Sequence, residues 1–295
     1  MVDSSAGASV IVGVDGSDAA LGAVRWAVGE AAIRHVPLRI VSATTSFDPK
    51  TIYTGVPPEY FSDLADAAHA DLAAALDAAK SHAEDTGVVV EMSTKLLSGD
   101  PVPDLVAASE AAQLFVLGLH GEHRTGLSSV GSLTWTLVGK SVSPVAVVSD
   151  RAPSRPRHGV VVVGVDSSDH SRRAVDLAFR EASLRGAELL AVHAWTWRDV
   201  DSVLDPLNTV PFERPVGESI ALSEVLSGYR EQFPEVRVQQ RLIEDRPHAA
   251  LVTAAEGADV LIVGTRGRGG LTSALLGSTS RRMLGTIECP LIVAR

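Results

Sequence analysis

The chain has 295 residues, of which 45% are hydrophobic and 4% aromatic, and it carries a net charge of −10 with a pI near 5.4. The acidic balance argues against a general nucleic-acid binder, which shows a basic face, and the low aromatic content argues against a base-stacking platform. A single cysteine excludes a disulfide framework, and no signal peptide or run of about 18 apolar residues occurs, so we expect a cytoplasmic protein with no membrane partner.

The first half of the chain alternates apolar β-branched runs with helical patterns. After the first run, Ser17 or Asp18 can cap a helix. The predicted strands are Val10–Val14, Leu38–Ala43, Val88–Met92, Leu114–Leu117 and Val145–Val148. The predicted helices cover 19–34, 62–85, 102–111 and 132–140, with an irregular stretch over 44–61. Continuous apolar strands separated by helices predict a parallel sheet covered on both faces.

The second half of the chain repeats the first. Val10–Asp18 (VIVGVDGSD) returns as Val161–Asp169 (VVVGVDSSD), an offset of 151 residues, and toward the end of each half the offset becomes 146. The segment between the halves is polar and rich in proline, which is typical of a linker. We therefore predict two copies of one domain, residues 1–149 and 160–295, joined by a linker at 150–159.

Each half carries one glycine pattern after an apolar run. The pattern is Gly-x-x-Gly, nine residues, Gly-Ser, and it begins at Gly118 in the first half and at Gly264 in the second. We call residues 118–132 the first glycine loop and residues 264–278 the second glycine loop. A strand, such a loop and a helix N-terminus place backbone N–H groups where they can hold an anion. Two copies at identical spacing favour phosphate binding over an ordinary turn.

The expected chemistry of the second glycine loop rests on its backbone. We expect Gly264 and Gly267 to reach positive φ and to approach a ligand closely. We also expect the N–H groups of Gly277 and Ser278 to face the same anion. Ligands of parallel sheets bind at the strand carboxyl ends where the strand order reverses. Both motifs of a half share one crevice there if its first and fourth strands are neighbours.

These motifs resemble those of the universal stress protein family, tandem-domain type, and the resemblance covers nearly the whole chain. Its ATP-binding members carry Gly-x-x-Gly, nine residues, Gly-Ser or Gly-Thr. The resemblance implies an α/β, Rossmann-like fold with two tandem five-stranded parallel sheets, each of strand order 3-2-1-4-5 with helices on both faces. It further implies ATP at each switch point, with Mg²⁺ as an accompanying ion, and an intrachain pseudo-dimer of the two halves.

Matched by position, the motifs imply two sets of cofactor-binding residues and no catalytic or metal-ligating residue. The first set is Gly13, Asp15, Ala43, Gly118, Gly121, Arg124, Gly131, Ser132 and Leu133. The second set is Gly164, Asp166, Ala194, Gly264, Thr265, Arg266, Gly267, Arg268, Gly277, Ser278 and Thr279. In the first set the resemblance implies that Ala43 faces the adenine, whereas the residues from Gly118 onward hold the phosphates and ribose.

The two glycine loops differ in charge. Arg266 and Arg268 add positive charge in the second, whereas Glu122 occupies the position of Arg268 in the first. A carboxylate near phosphates is unfavourable unless a metal ion or Arg124 compensates it. We therefore expect the second half to bind ATP more tightly than the first.

The resulting expectation is an ATP-binding stress-response regulatory protein, not an enzyme, that signals through its bound state. The sequence contains no Gly-x-x-x-x-Gly-Lys-Ser/Thr motif, whose lysine and hydroxyl serve fast phosphoryl transfer. Two alternatives stay open: a slow ATP-hydrolysing enzyme, and a protein-interaction module with a degenerate first pocket. We expect ATP and a protein as partners, no nucleic acid, and leave open a homodimer beyond the intrachain pairing.

Overall fold

The structure, a computed structural model, describes residues 9–45, 57–121, 131–149, 159–166, 168–196, 216–266 and 276–295, without the side chains of 58, 169 and 216–221. The chain divides into two units, Met1–Ser154 and Arg155–Arg295, and each is described by itself. The linker predicted at 150–159 lies outside the described residues except for Gly159.

The described part of the first unit alternates strands with helices. Its strands are β1 (Ser9–Gly13), β2 (Leu38–Thr45), β3 (Met92–Gly99), β4 (Ala112–Gly118) and β5 (Val145–Val148). Its helices are α1 (Asp18–Arg34), α2 (Pro58–Thr86), α3 (Pro101–Ser109) and α4 (Ser132–Lys140). The strands pair in parallel in the order β3-β2-β1-β4-β5.

The second unit repeats this architecture. Its strands are β6 (Val160–Gly164), β7 (Glu188–Trp195), β8 (Val238–Glu244), β9 (Val260–Gly264) and β10 (Leu291–Ala294). Its helices are α5 (Asp169–Arg185), α6 (Val216–Gln232), α7 (Pro247–Ala254) and α8 (Ser278–Met283). The parallel order is β8-β7-β6-β9-β10. Both units therefore show the order 3-2-1-4-5, and the predicted fold class is confirmed.

The first helix of each unit is bounded by the same two devices. The hydroxyl of Ser17 accepts a hydrogen bond from the Ala20 N–H at 3.2 Å, and Ser168 caps α5 in the same way. At the other end the chain turns through a left-handed residue, His35 after α1 (φ 55°) and Gly186 after α5 (φ 59°). A serine cap and a left-handed C-terminal residue satisfy backbone groups that a helix end leaves unpaired.

Helix α2 packs through one stripe of small and apolar side chains. The buried positions are Phe61, Ala68, Leu72, Ala75, Ala79 and Ala83, which recur mostly at three- and four-residue spacing. This spacing places them on one face of the helix, while most of its charged residues are exposed on the other face. Over the ranges that the structure describes, no helix is both long and apolar enough to cross a membrane.

Strand β3 lies later in the chain than predicted. The predicted strand Val88–Met92 shares only Met92 with the observed one and is otherwise wrong. Helix α2 ends at Thr86, the next residue Gly87 is left-handed (φ 68°), and Val89 is 98% exposed. The observed strand Met92–Gly99 is an outer strand whose side chains are mostly exposed or half-buried. An outer strand needs no continuous apolar run. The apolar pattern therefore pointed to the segment that connects α2 to β3, and not to the strand itself.

Candidate functional site

The two motifs of each half meet at the carboxyl ends of neighbouring strands. β1 pairs with β4, and Asp15 follows β1 by two residues while Gly118 ends β4. β6 pairs with β9 in the same way, which places Asp166 just beyond β6 and Gly264 at the end of β9. The strand order reverses at β1 and at β6, and such a point forms the ligand crevice of open parallel sheets. The first and fourth strands of each half are therefore neighbours, which meets the condition under which both motifs face one crevice.

A carboxylate held by a serine stands in each crevice. Asp15 Oδ1 accepts hydrogen bonds from the Ser17 N–H at 3.2 Å and the Ser17 hydroxyl at 2.6 Å. Asp166 Oδ1 accepts the equivalent bonds from Ser168 at 2.9 and 2.5 Å. The serine, and not the aspartate, therefore caps the helix. Asp15 Oδ2 lies 2.7 Å from the position that a Cβ would take at Gly121, so this carboxylate faces the first glycine loop.

Each glycine loop is closed at its base by one backbone hydrogen bond. The Gly131 N–H donates to the Leu119 carbonyl at 3.1 Å, and the Gly277 N–H donates to the Thr265 carbonyl at 2.7 Å. The expectation that the Gly277 N–H faces an anion is therefore wrong, because this N–H holds the two ends of the loop together. In each half the bonded residues are twelve positions apart in the chain.

A buried hydroxyl that sequence reasoning missed adds a second closure. Thr134 Oγ1 donates to the Gly118 carbonyl at 3.1 Å, and Ser280 Oγ donates to the Gly264 carbonyl at 2.7 Å. Both hydroxyl residues lie three positions after the last glycine of the motif and 146 residues apart. The repeat could have identified them, since a hydroxyl at the same place in both copies points to a shared contact.

The first glycine of each motif serves packing. A Cβ at Gly118 would lie 2.8 Å from the backbone carbon of Ala19, and one at Gly264 would lie 2.7 Å from the backbone oxygen of His170. Neither glycine has positive φ, so that expectation is wrong for Gly264. The missing side chain lets the end of β4 or β9 approach the start of the first helix of the same unit, α1 or α5.

The remaining expected residues surround this crevice to differing degrees. Gly13 and Gly164 end the central strands, Ala43 and Ala194 are half-buried near the ends of β2 and β7, Leu133 and Thr279 are half-buried, and Thr265 is buried. Ser132 and Ser278 begin their helices with exposed side chains. Arg124, Gly267 and Arg268, together with Glu122, lie outside the described residues.

The two crevices differ in the charge that the structure places beside them. In the second, Arg266 Nε is buried without a hydrogen-bond partner among the described residues. In the first, a carboxylate of α2 approaches, since Asp71 Oδ1 lies 2.6 Å from the Cβ position of Gly16, whose φ is 80°. Across the described ranges, no three His, Cys, Asp or Glu side chains gather into a metal-binding group. A buried nitrogen of Arg266 that lacks a partner among the described residues suits an anionic ligand in the second crevice.

Removing the buried hydroxyl that bonds the first carbonyl of either glycine loop should destabilise the unit that contains it. We expect Thr134→Val and Ser280→Ala each to cost about 1–2 kcal/mol, because a buried carbonyl loses its donor. The matched control is Thr136→Val on the same helix, whose exposed hydroxyl bonds the Ser132 carbonyl. Urea denaturation measures the difference, and equal effects of Thr134→Val and Thr136→Val would refute the role of the buried closure.

Comparison with known proteins covers both halves. The sequence model of the universal stress protein family matches residues 8–149 and 158–295. Universal stress protein Rv2005c of Mycobacterium tuberculosis is 37% identical over 294 residues, which is 97% of this chain and 96% of that protein. Universal stress protein Rv1996 of the same species is 34% identical over 302 residues, which is 97% of this chain and 94% of that protein.

Solved structures show the same fold. The crystal structure of a universal stress protein from Archaeoglobus fulgidus matches with a TM-score of 0.71 at 18% identity, over 98% of each chain. A crystal structure from Pseudomonas aeruginosa, described as a putative universal stress protein, matches with a TM-score of 0.60 at 18% identity, over 98% of this chain and 94% of that one. At this identity the likeness concerns the fold alone.

Proposed function

Because the chain belongs to the universal stress protein family, we propose that it is a nucleotide-binding regulatory protein. Each half binds ATP in the crevice between its central strand and the next strand, β1 with β4 and β6 with β9. A protein partner distinguishes the occupied state from the empty state. Turnover of the nucleotide is slow compared with signalling.

The construction of the glycine loops supports this proposal most strongly. The two loops lie 146 residues apart in the sequence. Each is closed by an equivalent backbone hydrogen bond and by an equivalent buried hydroxyl. Both lie at the point of strand-order reversal, where nucleotides bind in open parallel sheets. Packing explains the first glycine of each loop and loop closure uses the N–H of the last one. Neither role accounts for the exposed serine that follows, Ser132 or Ser278.

The residues that would hold ATP follow from their places in the crevice. Asp15 and Asp166, fixed by their serines, lie beside the central strand where a sugar hydroxyl could donate to them. The loop backbone and the exposed hydroxyls of Ser132 and Ser278 would contact the phosphates, and Arg266 would offset their charge. Bound Mg²⁺ would neutralise phosphate oxygens and draw its other ligands from water.

A protein-interaction module with a degenerate first pocket is the second candidate. Asp71 brings a carboxylate close to the backbone at Gly16, and Glu122 adds another acidic side chain in the loop sequence. Residues 1–154 hold 9 Lys and Arg against 18 Asp and Glu, a net charge of −9, whereas residues 155–295 hold 17 against 18, a net charge of −1. Such an acidic first half opposes phosphate binding, so under this candidate only the second half takes ATP.

Calorimetry combined with a phosphate-release assay tests the proposal. We expect nucleotide-free protein to release heat on titration with ATP and to turn over far more slowly than the roughly 1–100 s⁻¹ of dedicated phosphotransferases. A stoichiometry of two ATP per chain supports binding in both halves, and a stoichiometry of one supports the second candidate. Absence of ATP binding, or turnover in the phosphotransferase range, would refute the regulatory role.

A further inference from the structure

Two arginines emerge from neighbouring strands at one edge of the second unit. Strand β10 pairs in parallel with β9 so that Ala294 lies opposite Gly264. Arg295 follows β10 directly, and Arg266 follows β9 by two residues. Both side chains therefore start at the carboxyl ends of adjacent strands, the edge at which parallel sheets bind their ligands.

The positive charges of this pair are partly removed from solvent. The Nε atoms of Arg266 and Arg295 are buried, and that of Arg266 has no hydrogen-bond partner among the described residues. Burial lowers the pKa of Arg295, and the neighbouring Arg266 guanidinium lowers this pKa further. Two like charges that approach each other away from water raise the free energy of the empty site, and an anion beside them reverses this effect.

The first half lacks both charges at the equivalent positions. The offset of 146 residues places His120 where Arg266 stands and Ser149 where Arg295 stands. The shared fold therefore does not require two arginines at this edge, since the first unit has the same strand order without them. A function particular to the second half explains the pair.

We propose that Arg266 and Arg295 form a subsite of the second half that binds the phosphate chain of a nucleotide. The guanidinium groups present several N–H donors in a fixed fork, which suits phosphate oxygens better than it suits a neutral sugar or base. The subsite makes the second half select nucleotides by the number of their phosphates. This inference rests on the proposed function and adds Arg295 to the residues that the motif alone identifies.

Three probes separate the phosphate chain from the nucleoside: ATP, adenosine and inorganic tripolyphosphate, each titrated into the full chain. We expect Arg295→Gln to lower the affinity for ATP and for tripolyphosphate about tenfold, which is about 1.4 kcal/mol. The affinity for adenosine should not change. Arg295→Lys keeps the charge without the fork and should weaken ATP by less. The matched control is Arg237→Gln. It removes an exposed charge at the amino end of β8, away from the carboxyl ends of the strands, and should leave the affinity for all three probes unchanged.

The outcomes distinguish this inference from the proposed function. If the wild-type protein binds ATP and Arg295→Gln leaves its affinity intact, the subsite is refuted and the function stands. If tripolyphosphate binds as tightly as ATP while adenosine adds nothing, the subsite stands and the nucleotide function falls. If none of the probes binds, both fall. Equal loss of ATP and adenosine affinity in an Arg295→Gln variant that unfolds like the wild type would refute a role specific to phosphate. The ligand-free variant should unfold no earlier than the wild type, since one of two like charges is gone.

Discussion

Replacing Glu181 with glutamine should destabilise the second unit by about 3–5 kcal/mol. Glu181 and Arg185 form an ion pair one turn apart on α5, and each side chain is only 3% exposed. Arg185 also donates to the Glu181 carbonyl at 3.3 Å, which fixes the guanidinium against the end of the helix. Glutamine keeps the volume of the side chain but leaves a buried guanidinium without its charged partner. The cost therefore comes from the loss of the carboxylate charge beside a buried guanidinium.

The same helix supplies the control. Asp176 and Arg180 form an ion pair at the same spacing with exposed side chains, and exposed pairs of this kind contribute about 0.3–0.5 kcal/mol. Urea denaturation of Glu181→Gln and Asp176→Asn compares buried with exposed pairs on one element. The first unit should behave alike, because Glu30 and Arg34 repeat the buried pair on α1. A cost for Glu181→Gln no larger than that for Asp176→Asn would contradict the stabilising role of the buried pair.

Replacing Gly267 with aspartate should remove most of the high-affinity ATP binding. Gly267 is the second-half equivalent of Gly121, where a Cβ would lie 2.7 Å from Asp15 Oδ2. A side chain at such a position fills the space between loop and carboxylate, and an aspartate adds a negative charge where phosphates are proposed to bind. A charge near the protein surface contributes about 0.5–1 kcal/mol. The second loop carries Arg266 and Arg268 where the first carries His120 and Glu122, so the second half should bind ATP about tenfold more tightly than the first.

Calorimetry with ATP on Gly267→Asp and Gly121→Asp ranks the two sites. The Gly121 change should remove only the weaker binding event and leave the stronger one at its wild-type affinity. If the Gly121 change removes the stronger event instead, the ranking of the sites is wrong. If neither variant alters ATP binding, the assignment of phosphates to the glycine loops is wrong.

The strand order could be predicted because two independent signals agreed. The repeat at offsets of 151 and 146 residues fixed two equivalent units, and the glycine motif carried a resemblance whose strand order the structure shows in each. Buried strands such as β9 are continuous apolar runs, which sequence patterns identify well. Strand β3 escaped because its mostly exposed side chains carry no such run.

The site was predicted down to its motifs but not to its contacts. The sequence could place Asp15 near the crevice, yet only the structure shows that Ser17 occupies its Oδ1 atom. In the same way, the Gly277 N–H was assigned to a ligand, whereas the loop itself uses it. Short-range hydrogen bonds of this kind compete with ligand contacts, and residue types alone do not decide which of them forms.

The sequence alone could not predict which residues far apart in the chain lie close together. Arg295 lies 29 positions from Arg266 in the chain, and only the register of β10 on β9 brings the two to one edge. The matched pairs Glu30 with Glu181 and Arg34 with Arg185 were visible in the repeat, but their burial was not. A helical Glu and Arg four residues apart are usually exposed, so burial had to be observed.

Mass spectrometry of nucleotide released from the protein tests ATP binding most directly. The purified chain of 295 residues is incubated with ATP and Mg²⁺, desalted, and denatured, and the released ligand is identified and counted. We expect intact ATP, with the wild type retaining it and a Gly121→Asp/Gly267→Asp double variant losing it. Release of no nucleotide from the wild type, or of ADP alone within seconds of loading, would contradict binding without rapid hydrolysis.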